Sequence, residues 1–318
     1  MTKRIFLMCL LIVFAARLSA QQDPQFTQYM FNTLYYNPGF SGVEGVTKIS
    51  ALHRSQWLGY SPTYGGGGAP TTQLITFSTP IFKLNSGFGA LISHDNLGPF
   101  NNLEAQASYA YHLGIKNSKL SFGLRTGVYS QTVDFNMYRT VDANDPLLGD
   151  KTGSLTQVRP DMAAGVFWRK EKFYVGAGFD HLLRSTFDFG LTQRNALQTH
   201  TYITGGYMYQ VNFDLKFQFS TLIQSDLIKT SFNLTSLAYL KDTMWGGLSF
   251  RQGESMSLLM GYTFLKDKSM RLGYSLDYIV KDQAAKQVTS HEFMLIYELP
   301  VVAGAGKKVV RTPRYRKS

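Results

Sequence analysis

Apolar and polar residues alternate with a period of two along much of this chain, the pattern of a strand with one apolar face. In Leu103–His112, Leu103, Ala105, Ala107, Tyr109 and Tyr111 share one face, and Glu104, Gln106, Ser108, Ala110 and His112 share the other. Lys119–Gln131 sets Leu120, Phe122, Leu124 and Val128 against Ser121, Gly123, Arg125 and Gly127. In Leu215–Gln224 the apolar face is Leu215, Phe217, Phe219 and, less regularly, Ile223. Met256, Leu258, Met260, Tyr262 and Phe264 form another such row, as do Leu272, Tyr274, Leu276 and Tyr278.

The pattern predicts fourteen strands, at 46–57, 71–79, 86–94, 102–112, 119–131, 160–168, 173–181, 199–209, 215–225, 229–240, 244–251, 255–264, 270–279 and 289–298. The second and the eighth alternate poorly. An aqueous β-sandwich alternates too, but many of these strands approach the roughly 9–11 residues that cross a bilayer at a tilt. Their second face is rich in Gly, Ser and Gln, which suits a small or wet lumen, and no contiguous apolar core is evident. The expected fold is therefore all-β, a transmembrane antiparallel β-barrel.

Connection lengths fit this architecture. The expected periplasmic turns 80–85, 113–118, 169–172, 210–214, 241–243 and 265–269 are all short. The long segments 58–70, 132–159, 182–198 and 280–288 fall on the other side, although 226–228 and 252–254 there are short as well. An even strand count then puts both termini in the periplasm. Tyr109, Tyr111, Trp168, Phe173, Tyr207, Tyr209 and Trp245 fall at predicted periplasmic strand ends, as an interfacial aromatic girdle would.

Residues 1–20 read as a cleaved signal peptide. Lys3 and Arg4 precede an apolar run from Ile5 to Ala16, and Leu18-Ser19-Ala20 supplies a small-residue cleavage site before Gln21. That run is shorter than the roughly 20 apolar residues of a membrane-spanning helix. The one cysteine, Cys9, lies inside it, so the mature chain has no thiol for a disulfide, a nucleophile or a metal site. The net charge of +11 falls to +8 once Lys3, Arg4 and Arg17 are removed. Six more positives (Lys307, Lys308, Arg311, Arg314, Arg316 and Lys317) crowd the last twelve residues, so the body is near neutral with a basic tail. This is not the charge distribution of a nucleic-acid-binding domain.

Little in the sequence suggests catalysis. His53, His94, His112, His181, His200 and His291 show no metal-motif spacing, and Gly65–Gly68 lacks the Lys-Ser/Thr of a phosphate loop. No enzyme activity, cofactor, metal or small-molecule substrate is expected. Glu104, Arg125, Asp180, Lys216, Arg271 and Asp277 fall on lumen-facing positions. They either tune a pore or pair across a packed interior and seal it, and the second reading is preferred.

The run Asp23-Pro24-Gln25-Phe26-Thr27-Gln28-Tyr29-Met30-Phe31-Asn32 is more specific, and Asn37-Pro38-Gly39-Phe40-Ser41-Gly42 follows it. Together they strongly resemble the N-terminal signature of the PorP/SprF family of type IX secretion membrane proteins. Arg54-Ser55-Gln56-Trp57, Ala69-Pro70-Thr71-Thr72, the run Trp245 to Arg251, the run Gly273 to Tyr278, and Ser290-His291-Glu292-Phe293 arrive in family order. The resemblance covers essentially the whole mature chain. Family members often carry Asn-Pro-Ala-Tyr-Ala-Gly where this chain has 37–42, the segment between Trp57 and Pro70 is expanded, and the basic end lies outside the signature.

The resemblance implies an accessory outer-membrane barrel of the type IX protein secretion machinery, with a role in gliding for some members. The implied partners are membrane lipid, secreted cargo with a C-terminal sorting domain, and periplasmic ring and lipoprotein components; no nucleic acid is expected. The alternative is a passive porin or lipid channel. The chain divides as signal peptide (1–20), N-terminal signature segment (21–45), barrel (46–298) and basic periplasmic tail (299–318). Phe26, Tyr29, Met30 and Phe31 are costly to leave in water, so the signature segment is expected to pack into the lumen or against a partner, and the lumen is preferred.

Overall fold

The computed structural model describes residues 23–61, 68–138, 151–190, 195–265, 267–281 and 287–299. The expected signal peptide with its Ala20–Gln21 cleavage point, most of the glycine run and the basic tail beyond Leu299 lie outside these residues.

The barrel strands before the main insertion are β1 (Lys48–Ser55), β2 (Thr71–Ile81), β3 (Ser86–Leu97), β4 (Phe100–Ile115), β5 (Ser118–Asp134), β6 (Ser154–Lys170) and β7 (Phe173–Asp180). A two-stranded ribbon follows, β8 (Thr186–Phe187) with β9 (Asn195–Ala196). The barrel resumes with β10 (His200–Gln210), β11 (Leu215–Ser225), β12 (Thr230–Leu240), β13 (Met244–Arg251), β14 (Ser255–Phe264), β15 (Met270–Ile279) and β16 (Thr289–Glu298). Fourteen strands pair in sequence order, with β7 joined to β10 across the ribbon and β1 joined to β16. Closure leaves no unpaired strand edge, a condition for crossing a bilayer with strands. All fourteen predicted strands are present. The ribbon was missed, since two residues per strand are too few to show a period.

The predicted outward faces hold. Leu103, Tyr109, Tyr111, Phe122, Leu124, Phe219, Leu258 and Tyr278 all lie exposed on the outer wall. In water so large an apolar surface would be a liability, whereas hydrocarbon is its natural solvent. Short turns link strands at one end of the barrel, and the long connections 56–70, 135–153, 181–199 and 280–288 are all at the other. At this long-loop end Val133, Phe135, Phe187, Phe189 and Leu197 form a separate apolar cluster, which fastens the ribbon to the tips of the 17-residue strands β5 and β6.

The inner face departs from expectation. The lumen is not merely polar. Leu52, Leu74, Leu91, Tyr202, Leu222, Leu237, Leu259, Met294 and Ile296 point inward and are buried, in one cluster with Phe26, Tyr29, Phe31, Tyr35 and Tyr36. This explains the two poorly alternating strands. β2 sets Leu74 inward beside outward Ile75, and β10 sets Tyr202 inward beside Ile203, so apolar residues occupy both faces. Trp245 is a further correction: it is 4% exposed and faces the lumen, not an outer girdle.

The Leu299 amide bonds to the Thr47 carbonyl (2.9 Å), so the barrel begins and ends at the short-turn end, as an even count requires. The segment ahead of β1 doubles back through the lumen, however. Asp23 touches His181 and His200, which follow β7 and open β10 at the long-loop end. The two ends of the described chain thus lie toward opposite mouths of the barrel, and the termini themselves, expected in the periplasm, lie outside the described residues.

The outer face yields a direct test. Leu258→Arg is expected to cost roughly 2–4 kcal/mol if the position lies near the midplane, whereas Leu258→Phe is tolerated, and Phe122 behaves alike. Heat-modifiable mobility of the barrel after folding into lipid vesicles reads the difference.

Candidate functional site

The segment 23–45 is a compact plug of short turns. Tyr29–Phe31 and Pro38–Phe40 form 3-10 turns on either side of α1 (Thr33–Tyr36), and Asn37 caps the second by accepting the Gly39 amide at 2.8 Å. A helix this short has no stability of its own. Its conformation is fixed by what surrounds it.

Apolar contacts anchor the middle. The Phe26 ring meets Tyr35 edge-on at 5.3 Å, Tyr36 meets Tyr202 at 5.2 Å, and Phe31 lies against Trp245 at 4.8 Å. Burial pushes the Tyr35 and Tyr36 hydroxyls well above the usual phenol range, so both stay neutral. The Tyr36 hydroxyl accepts the Phe26 amide, and the Tyr29 hydroxyl donates to the Ser220 carbonyl at 2.7 Å.

Polar contacts replace the water that the plug backbone would otherwise need. Glu292 accepts two successive amides, Thr27 N–H at 2.9 Å and Gln28 N–H at 2.8 Å. Arg54 pairs with Glu292 (3.1 Å) and Asp277 (2.7 Å), and the Thr27 hydroxyl donates to Asp277 at 2.7 Å. Arg251 reaches the same hydroxyl at 3.5 Å while holding Asn233 at 2.8 Å. Farther along, the Ser50 hydroxyl donates to Asn32, and the Asn37 amide donates to the Val166 and Ala177 carbonyls. Arg125 donates to the Leu34 and Tyr35 carbonyls and pairs with Asp180. Close approach at the plug's far end relies on bare backbone. A Cβ at Gly123 would fall 2.3 Å from the Pro38 carbonyl carbon, and one at Gly87 would fall 2.1 Å from the Ser41 carbonyl oxygen.

The first plug residue docks among histidines. Asp23 lies 3.1 Å from His181 Nε2 and 3.3 Å from His200 Nδ1, and it accepts from the Tyr202 hydroxyl. Burial alone would raise its carboxyl, but His200 and His181 more than offset this and hold it well below the usual carboxylate range. Pro24 is partly buried, and Gln25 accepts from Ser231 at 3.5 Å.

The motif residues therefore separate. Arg54, Arg251 and Glu292 gather around Thr27, while Trp245 sits deeper in the lumen. Gln56 and Pro70 pair through their backbones (2.8 Å) at the long-loop rim, where the Trp57 amide donates to Ser290 and its ring meets Tyr60. His291 is on the outer wall, paired with Tyr274 at 2.7 Å. The six lumen charges are all buried. Arg125 pairs with Asp180, Lys216 with Asp242, Arg271 with Glu298 and Asp277 with Arg54. The reading of the sequence missed the Arg54–Asp277–Glu292 group as a unit. The signal was there in part, since opposite charges on neighbouring inward strand positions are natural partners, and Arg54 stands directly opposite Glu292 in the β1–β16 register.

A protein-family model for the type IX secretion system membrane protein PorP/SprF matches residues 18–297. The chain belongs to that family. With its closed barrel and lipid-facing band, it is a multi-pass outer-membrane protein. A search of curated proteins finds no match. Among solved structures it is similar to the outer membrane protein Omp33 of Acinetobacter baumannii, at 8% identity and TM-score 0.45, over 80% of this chain and 99% of that one. It is also similar to a Pseudomonas aeruginosa FadL homologue, at 13% identity and TM-score 0.44, over 88% and 95%. The CymD monoaromatic hydrocarbon channel follows at 10% identity and TM-score 0.48, over 86% and 92%.

The plug latch is open to a stability test. Glu292→Ala leaves the Arg54 guanidinium short of a partner and strands two buried amides. Breaking such a buried pair costs roughly 3–5 kcal/mol, so the unfolding free energy of the refolded PorP/SprF barrel, read from urea titration, is expected to fall by about that much.

Proposed function

We propose that this chain is an accessory barrel of the type IX protein secretion machinery that works by recognition, not by conducting solutes. Membership of the family supports the secretion role, and the filled lumen carries the choice between recognition and conduction. Among the described residues, Phe26, Tyr29, Phe31, Tyr35 and Tyr36 pack into the lumen and Glu292 and Arg125 latch the segment there, which argues against a passive porin. Recognition then falls to the two mouths and the loops. We take the long-loop end as extracellular and the short-turn end as periplasmic, the usual arrangement of bacterial barrels. The external mouth, where Phe135, Phe187 and Leu197 support the ribbon, suits retention of a cargo sorting domain. The periplasmic mouth and the basic tail suit ring and lipoprotein components. No catalytic role is assigned.

Deleting the gene and comparing the proteins released from the cells tests this reading. Selective loss of exported or surface-held proteins is the expected result, whereas unchanged export with altered solute uptake would favour the channel.

A finer prediction concerns the signature. Phe26→Ala with Tyr29→Ala removes two buried rings, each worth about 1.5–3 kcal/mol. The double variant is expected to reach the outer membrane as a heat-modifiable barrel at near-normal level but to impair cargo secretion or surface retention. Normal export at normal membrane level would reduce the plug to a structural part.

A further inference from the structure

The start of the plug lies in an acidic part of the lumen. Asp23, Glu104, Asp161 and Asp180 gather there, all buried or nearly so, and the described residues set one guanidinium, Arg125, against them. Three polar atoms in this group lack a partner although their side chains are at least nine-tenths buried: Glu104 Oε1, Asp161 Oδ1 and His200 Nε2. A surplus of buried negative charge is unfavourable unless a cation or protons balance it. The other charged group, around Thr27, contains two guanidiniums, Arg54 and Arg251, and has no comparable deficit.

The donor chemistry says what kind of cation fits. Asp23, His181 and His200 each offer a ligand atom, and these atoms lie within 4.8 Å of one another. Asp23 Oδ1 is 3.1 Å from His181 Nε2 and Asp23 Oδ2 is 3.3 Å from His200 Nδ1, so one carboxylate oxygen faces each imidazole. Zinc bonds to imidazole nitrogen and carboxylate oxygen are about 2.0–2.2 Å long, which puts the corners of a tetrahedral site about 3.3 Å apart. A calcium or magnesium site would instead be built from oxygens alone.

The outer partners of His181 also suit a ligand. Its Nδ1 lies 2.7 Å from Asp161 Oδ2, which accepts from Gln106 as well. An Nδ1–H donated to that carboxylate fixes the tautomer and turns the Nε2 lone pair toward Asp23. Two lone pairs facing at 3.1 Å repel unless a proton or a metal ion sits between them. A carboxylate holding the far nitrogen is the usual support of a metal-bound histidine.

We propose that Asp23, His181 and His200 form a site for a divalent transition ion of the zinc type, which fastens the start of the plug to the barrel wall. Asp161 positions His181 from behind, and His200 Nδ1, which donates to the Gln198 carbonyl at 3.0 Å, gives up that proton and hydrogen bond when the ion binds. The site joins residues far apart in sequence, so histidine spacing gave no hint of it. It would make docking of the plug depend on an ion as well as on apolar packing, whatever partner the barrel serves.

Zinc titrated calorimetrically into the purified, untagged mature barrel in detergent, after treatment with a chelator, tests the site, with atomic absorption counting the bound metal. The expected result is one ion per chain, and heat-modifiable mobility confirms the fold of each variant. Asp161→Asn is expected to weaken binding roughly 10–100-fold, and Asp23→Asn with His200→Gln to abolish it. Should that pair fail to fold, Asp23→Asn alone serves, since its amide oxygen still accepts from Tyr202. Absence of a stoichiometric ion in the unaltered barrel would overturn the proposal, leaving a proton on His181 as the balancing charge. Binding undiminished by the substitutions would overturn it too.

Discussion

Fourteen strands close around an interior wider than the roughly eight-stranded barrel whose own wall side chains fill it. Such a lumen holds water, a ligand or a segment of the chain itself. Here the segment between Asp23 and Gly45 occupies it, and the composition of the inner wall follows from that occupancy. Inward Leu52, Leu74, Leu222, Leu237 and Leu259 are buried by the plug. Inward Ser, Thr, Gln and charged residues meet its backbone, which has too little regular structure to satisfy itself. Gly87 and Gly123 give it room where its chain touches the wall.

The carboxylate of Glu292 carries much of this arrangement. Its two oxygens bind successive amides of the plug, and Arg54 compensates its charge from the neighbouring strand. Removing water from these groups is costly, so the group is stable only when complete. That makes the plug conditional: it is bound strongly by many contacts, each dependent on the others.

Much of the fold was legible because lipid imposes a strict rule on the outer face. Leu103 to Tyr111 alternates cleanly for that reason, and the same rule revealed all fourteen strands. It says nothing about the inner face, where Leu74 and Tyr202 blurred the period of β2 and β10. The need to bury Phe26, Tyr29 and Phe31 could be read from their size and apolarity, but their wall partners lie far along the chain, 191 residues away for Tyr29 and Ser220. Gly, Ser and Gln on the inner face look the same whether they meet water or a plug. Trp245 was misplaced because aromatic girdles are recognised by position along a strand, whereas its parity with Ser249 and Arg251 would have turned it inward. The cluster of Asp23, His181 and His200 assembles from the plug and the ends of two strands, which no local spacing records.

Backbone hydrogen exchange of the folded barrel in detergent, resolved across residues 26–32, tests the occupied lumen most directly. The Thr27 and Gln28 amides are bound by Glu292, and the Phe31 and Asn32 amides close turns inside the lumen. If the segment is a latched plug, these amides exchange as slowly as those of neighbouring β16, and Glu292→Ala speeds them selectively. Exchange at the rate of a solvated peptide in the unaltered protein would contradict it.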